Sequence, residues 1–256
     1  ARYESLADAF RARFSREPLA FVSAPGRTEV IGNHTDHNLG RVLAAAVNVD
    51  FLACAAPNGT DTIRFQSEGW PMVEVQLDGK GPRENEKEST PALVRGMAEQ
   101  AAQRGYTVEG YDVYAVSDVL PGSGLSSSAA CEVLLGVIEN HLFCNDELSP
   151  VTIAQMGQKA ENLYFGKPSG LMDQTASSVG GAVAIDFADP ADPKVRAVQV
   201  DLNALGYALC IIDSGASHAA LTAEYASIPQ EMGAVAAQFG KQVLREVDEA
   251  QVLQSL

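Results

Sequence analysis

The chain has 256 residues, 33 acidic against 18 basic, a net charge of −15 and 46% hydrophobic residues. That is enough apolar material for one large domain or two smaller ones, and the charge argues against a general affinity for nucleic acid or anionic lipid. It carries no apolar run of about 18 residues, the length a membrane span needs. Any site for an anionic ligand must therefore be a local exception, built from backbone N–H groups, a few Arg or Lys side chains and a metal ion.

In chain order, residues 1–10 read as a charged, amphipathic stretch without the apolar centre or cleavage site of a secretory signal. The four cysteines, Cys54, Cys131, Cys144 and Cys210, form no CxxC pair and have apolar neighbours, so buried free thiols in a reducing cytoplasm are expected.

Residues 24–40, APGRTEVIGNHTDHNLG, are dense in groups that suit a polyhydroxylated ligand. Carboxylates and amides serve sugar hydroxyls as both donors and acceptors, and Arg27 suits a phosphate or developing charge. Two other readings compete: a polar surface hairpin, and a metal site from His34, Asp36 and His37 that lacks a convincing third ligand elsewhere.

Strand-like runs follow at 42–56, 62–66 and 73–77, then a polar stretch, Asp78 to Ser89, that reads as a surface loop. Another strand is expected at 111–119. Behind it stands PGSGLSSSAA, residues 121–130, between a strand and a helix. Gly122 and Gly124 allow backbone angles that other residues resist. The serines fall at the first helical turn, where free N–H groups and the helix dipole form an anion site, and a serine hydroxyl can also ligate magnesium. A Ser-capped helix alone would need one serine; three behind Gly-x-Gly favour phosphate. No GxxxxGK[ST] loop occurs, and a third glycine at 127 is missing from a dinucleotide fingerprint.

The periodicity predicts a helix over 126–143, with Val133, Leu134, Val137, Ile138, His141 and Leu142 on one stripe, and others over 149–165 and 230–247. Further strands are expected at 181–187, 195–202 and 207–213, and ADPADPK at 188–194 is a domain boundary or a long turn. Glu161 and Asp173 sit in an acidic motif, residues 160–174, where caps, structural ion pairs and catalysis are all open readings. The order of elements indicates α+β rather than a regular parallel alternation.

Together the three segments resemble the galactokinase family, in the superfamily that also holds homoserine and mevalonate kinases. The family pattern APGRxNxIGEHTDYNxG is met at residues 24–40, PxGxGLSSSA at 121–129 and ENxxxGxPCGxMDQ at 161–174. The resemblance implies a two-domain small-molecule kinase fold: residues 1–190 as an N-terminal domain and 191–256 as the beginning of a ferredoxin-like second one. It implies ATP and Mg2+ as cofactors and phosphorylation of the anomeric hydroxyl of galactose. Asp173 would face the reacting hydroxyl as base or orienting anion, with Arg27 beside it. Asn33, His34, Thr35, Asp36, Gly170 and Tyr225 would line the sugar site. Gly122, Ser123, Gly124, Leu125, Ser126, Ser127 and Ser128 would wrap the phosphates, with Ser67 as a further nucleotide contact, and Ser128 and Glu161 would hold magnesium.

The sequence departs from the pattern at Asn33 (usually Glu), His37 (usually Tyr), Ser169 (usually Cys) and after Tyr225, where the usual arginines are absent. The family's C-terminal Gly-rich motif is not found after Gly215, so a longer parent chain is expected. The alternatives are a kinase for another sugar and a non-catalytic sugar and ATP sensor. A cytoplasmic location, no nucleic-acid or membrane partner, and a monomer complete the expectations.

Overall fold

A computed structural model describes residues 1–212 and 222–255, except for the side chains of 222–226. A mixed seven-stranded sheet is covered by helices on both faces, which gives the α+β class expected. Its axis is β2 (Arg41–Pro57), an unusually long strand that serves three neighbours. β1 (Ala20–Ile31) runs antiparallel along its length. The other edge is divided: β5 (Tyr111–Ser117) pairs with residues 51–57 and β6 (Ala182–Asp186) with residues 41–45. β3 (Thr62–Ser67) lies parallel to β5, with β4 (Val73–Gln76) outside it, and β7 (Lys194–Val198) extends the far edge beside β6.

The composition of β2 explains this central place. Phe51 to Ala56 are all buried, so the usual alternation of apolar and polar residues is lost and both faces need covering. Phe51, Ala53 and Ala55 face the main core, while Leu52, Cys54 and Ala56 meet Leu6, Phe10 and Phe14 of α1 (Arg2–Phe14). On the main-core face lie α2 (Thr90–Ala102), α3 (Ser127–Phe143) and α4 (Pro150–Lys159). α5 (Met172–Val179) closes a smaller core over β2 and β6 through Met172 and Ala176.

Several expectations change. α3 is buried on most sides rather than along one stripe: Glu132, Leu135 and Glu139 are inside, whereas His141 is exposed and faces Asp146. A helix surrounded by other helices has no solvent face on which a stripe could show. The stretch Asp78 to Ser89 is a surface loop as expected, but it also anchors a buried charge. Arg95 on α2 is 1% exposed and needs partners for its charge; Glu86 takes it through two bonds of 2.7 and 2.8 Å, and the Gln76 carbonyl accepts a third at 2.8 Å. The 188–194 stretch is a turn joining the antiparallel pair β6 and β7, and the sheet continues to Val198. The predicted helix over 149–165 changes character at residue 160, where α4 passes into a π-helical turn, Ala160–Phe165. Instead of 230–247, the C-terminal helix is α6 (Thr222–Gln238), with Pro229 inside it, followed by α7 (Glu249–Ser255). Residues 207–212 form no strand, and Asp213 lies outside the described residues. Cys54, Cys131 and Cys144 are buried free thiols as expected, but Cys210 is exposed.

Candidate active site

Arg27 lies where the regular pairing of β1 is broken. Pro25 faces Asp50, yet Arg27 faces Ala46, so extra residues of β2 bulge out between them. Such irregularities re-aim a side chain. Arg27 reaches the first turn of α5 and holds Asp173 through two parallel bonds of 2.7 Å, Nε to Oδ1 and Nη2 to Oδ2. Its Nη1 donates to the Gly124 carbonyl at 2.7 Å, and its backbone N–H donates to Leu125 O at 3.1 Å. Planar fork geometry of this kind fixes both partners. Ser126 adds a hydroxyl donated to Asp173 Oδ2. Burial pushes the Asp173 carboxyl up, but the Arg27 charge and bonds, the Ser126 bond and the Lys167 charge outweigh it, and the pKa lies below the ordinary value. Asp173 is an anion.

The loop that Arg27 touches runs from β5 into α3. Gly122 and Gly124 have φ of 74° and 78°, the left-handed region that glycine enters freely. Ser126 also takes a left-handed angle, φ 57°, as the residue before the helix. Ser123 folds back on Leu120 O through its hydroxyl at 2.6 Å. Ser127 and Ser128 occupy the first helical turn, whose N–H groups have no partner within the helix. Ser67 ends β3, with Ala115 as its neighbour on β5.

Beneath this loop lies a buried polar cluster. Ser128 donates to Glu161 Oε1 at 2.9 Å, and Lys167 donates to the same oxygen at 3.1 Å. The side-chain amide of Gln174 donates to both Glu161 Oε2 and Glu132 Oε2 at 3.0 Å. Glu132 is fully buried beside the Glu161 charge, and burial followed by that charge holds its carboxyl well above the ordinary value. Burial lowers and Glu161 raises the Lys167 ammonium, and the net direction is up. Ser128 and Glu161 together present hydroxyl and carboxylate oxygens at a helix N-terminus, a donor set that suits magnesium.

On the other side of Asp173, Asp36 stands in a short 3-10 turn, Thr35–Asn38. It meets Gly170 so closely that a Cβ there would fall 1.7 Å from its Oδ2. Its Oδ1 accepts from His37 N at 3.0 Å. His34, with φ 58°, stacks on His37 at 5.8 Å between ring centroids. Thr35 spends its hydroxyl on the turn itself, donating within reach of Gly32 O at 2.8 Å and Arg41 O at 2.9 Å. Asn33 is exposed. Behind the turn, buried Asn38 accepts from Leu244 N at 2.9 Å, which ties the C-terminal segment to this corner. Tyr225 lies on α6, and its side chain is outside the described residues.

Arg27, Asp173, Gly124 and Ser126 are therefore joined directly, and Ser128 and Glu161 are joined one step away. The sequence reading missed Lys167, Glu132 and Gln174 as members of the cluster. Lys167 carried a signal in the Gly166-Lys167-Pro168 run; Glu132 carried none, being one acid within an apolar helix. Among the described residues no group of three or more His, Cys, Asp or Glu side chains is arranged to hold a metal, which leaves His34, Asp36 and His37 without the metal reading. Nor is any described helix long and apolar enough to cross a membrane.

Comparison with known proteins agrees with this geometry. The family model described as the galactokinase galactose-binding signature matches residues 8–57, and that of the GHMP kinases N terminal domain matches residues 92–181. The chain is 33% identical over 243 residues to a galactokinase of Streptomyces coelicolor, covering 95% of this chain and 62% of that protein. With a galactokinase of Streptococcus mutans it shares 32%, over 83% of this chain and 52% of the other. The chain thus spans between about half and three-fifths of these curated relatives. The crystal structure of Lactococcus lactis galactokinase complexed with galactose superposes with a TM-score of 0.80 at 25% identity, over 98% of this chain and 66% of that one. Methanococcus jannaschii mevalonate kinase shares the fold, with a TM-score of 0.54 at 16% identity over 72% of this chain and 57% of that one. With both signatures in order along one sheet, and the paired arginine and aspartate joining them, the chain is similar to galactokinases over nearly its whole length and shares the fold of the GHMP kinases.

Proposed function

We propose that this chain forms the sugar- and phosphate-binding part of a kinase that transfers the γ-phosphoryl group of ATP to the anomeric hydroxyl of galactose. The observation that carries the reading is the Arg27–Asp173 pair, bonded on one side to the phosphate loop through Gly124 and Ser126 and flanked on the other by Asp36. A galactokinase holding galactose is similar over nearly the whole chain, which supports the choice of sugar.

Phosphoryl transfer of this kind is mostly positioning and charge stabilisation. Asp173 is held ionised, with a depressed pKa, so it is a weak base. Its part is to accept a hydrogen bond from the attacking hydroxyl and align it. The new bond forms between the anomeric oxygen and the γ-phosphorus as the bond to the bridging oxygen breaks, and ADP leaves. The sugar's proton departs late, by way of Asp173 to solvent. Arg27 keeps Asp173 in place and offsets negative charge near the transferring group. The loop from Gly122 to Ser128 cradles the phosphates with backbone N–H groups and hydroxyls. Ser128 and Glu161 would hold Mg2+, which offsets charge on the phosphate oxygens when bound. Lys167, beside Glu161, adds a cation to a molecule that is otherwise strongly acidic. The division into an N-terminal unit and the start of a second one belongs to the same proposal, with the boundary moved from about residue 190 to beyond β7, which still pairs with β6.

Asn33 and His37 favour a second reading on the same mechanism, in which the acceptor is another sugar. ADP release with galactose and its epimers, with and without magnesium, separates the two. Magnesium-dependent turnover on galactose supports the first reading, and a preference for an epimer moves the acceptor. Sugar or ATP binding with no turnover on any sugar would favour the sensor.

A further inference from the structure

The strand that delivers Arg27 brings a second charged side chain to the same side. Arg27, Thr28 and Glu29 pair without interruption with Ala46, Ala45 and Ala44. Residues two apart in a regular strand share a face, so Arg27 and Glu29 point the same way. Glu29 is half-buried, and among the described residues its carboxylate accepts no hydrogen bond. Burial raises its carboxyl above the ordinary value. Arg27 and His34 lower it, while Asp36 and Asp173 raise it. Those four residues frame the candidate sugar site, so Glu29 stands at its wall with both oxygens open.

Position 33 lacks an acid in this chain. The family pattern quoted above has Asn where this chain has Glu29, and Glu where this chain has Asn33. The carboxylate and the amide have changed places, and Asn33 is exposed. We propose that Glu29 is a specificity-determining residue, whose carboxylate accepts a hydrogen bond from a non-reacting hydroxyl of the substrate. The inference rests on the sugar-kinase reading and sharpens its substrate class. Glu29, Asp36 and Asp173 set three carboxylates around one guanidinium, so the site takes a neutral polyol and rejects a sugar that carries an acid group.

Glu29→Gln and Glu29→Ala test it, with steady-state kinetics for galactose and ATP on wild type and both variants, and thermal unfolding to confirm folding. The expected result is a rise in the galactose KM of about tenfold to a hundredfold for Glu29→Ala, the range of a lost hydrogen bond to a charged group. The KM for ATP and kcat stay within about threefold, because the hydroxyl is remote from the transferring group. A series of monodeoxygalactoses then identifies the hydroxyl: its removal weakens wild type and leaves Glu29→Ala no weaker, as coupling in a double cycle requires. A galactose KM within twofold of wild type in both variants overturns the proposal while the sugar-kinase reading stands. So does a fall in kcat at unchanged KM, which would mean that Glu29 acts through Arg27. If wild type itself neither binds nor phosphorylates any sugar, the broader reading fails and this inference fails with it.

Discussion

Asp173 is partly and Glu139 wholly withdrawn from bulk water, and they end in opposite states. Asp173 meets Arg27, Ser126 and Lys167, and its carboxyl is driven below its ordinary value in spite of burial. Glu139 is fully buried on α3 with a single donor, the Tyr111 hydroxyl at 2.9 Å, and burial raises it to about 8. Its second oxygen has no partner. Burial alone neutralises a carboxyl; a cation with fork geometry keeps it charged. In a chain with 18 basic residues against 33 acidic, the placing of Arg27 and Lys167 at one corner marks where negative charge is used.

The largest expected effect follows from removing the charge from Asp173. Asp173→Asn keeps the shape and loses the anion, and turnover should fall by at least about a hundredfold. An ADP-release assay reads this directly, and near-normal kcat would end the role assigned to Asp173. Next is Gly170→Ala. The added methyl would overlap Asp36 Oδ2, and Asp36 must move. Small displacements of a positioning group cost up to about a hundredfold, so the galactose KM should rise by at least about tenfold with the ATP KM unchanged. An unaltered galactose KM would show that Asp36 is not a sugar ligand.

Glu139→Gln probes the other half of the comparison. A carboxyl whose folded pKa is raised gives stability that is fully present below its unfolded value and is lost as pH rises towards the folded one. With 4.5 as the ordinary value and about 8 in the fold, wild type should lose on the order of 3 kcal/mol from this group between pH 5 and pH 8. The amide does not titrate, so denaturant unfolding of Glu139→Gln should lack this component of the slope. Identical pH slopes in the two proteins would mean that Glu139 is ionised in the fold.

Much of this site is legible in the sequence because its chemistry is local. A Gly-Ser loop before a helix carries its own geometry, whereas the acid after the Gly-Leu-Met run, Asp173, is singled out only by the family resemblance. What was not legible depends on distant partners. Arg95 looks like a surface residue until Glu86 and Asp78 close over it, so the 78–89 stretch is legible as a surface loop but not as the partner of a buried charge. Residues 24–40 read as a polar cluster, and the strand β1 that runs into it is not seen, because Arg27 and Glu29 occupy the inward positions of a site, not those of a core. Glu132 and Gln174 become a pair only when α3 and α5 meet. The fold class survives these errors because β2 and β5 are apolar enough to be read without knowing what covers them.

Ser149→Ala has the smallest expected effect and tests whether scaffold and site are separable. Ser149 accepts from Thr152 N at 3.1 Å, and Pro150 follows it at the first helical position of α4. Both features stabilise a helix start, and loss of such a cap costs about 1 kcal/mol. For a chain of this size that corresponds to a fall in Tm of about 2–4 °C. α4 also leads into the π-helical turn that carries Glu161, so a loosened start could be felt twelve residues later, from Ser149 to Glu161. Yet Glu161 is fixed independently by Ser128, Lys167 and Gln174. Those bonds lie on other elements and do not depend on the first turn of α4. The expected outcome is therefore a lower Tm with kcat and both KM values unchanged at temperatures well below it. A fall in kcat without loss of folded protein would show that α4 transmits its end-to-end geometry to Glu161, and that the charged corner is less self-sufficient than its bonding implies.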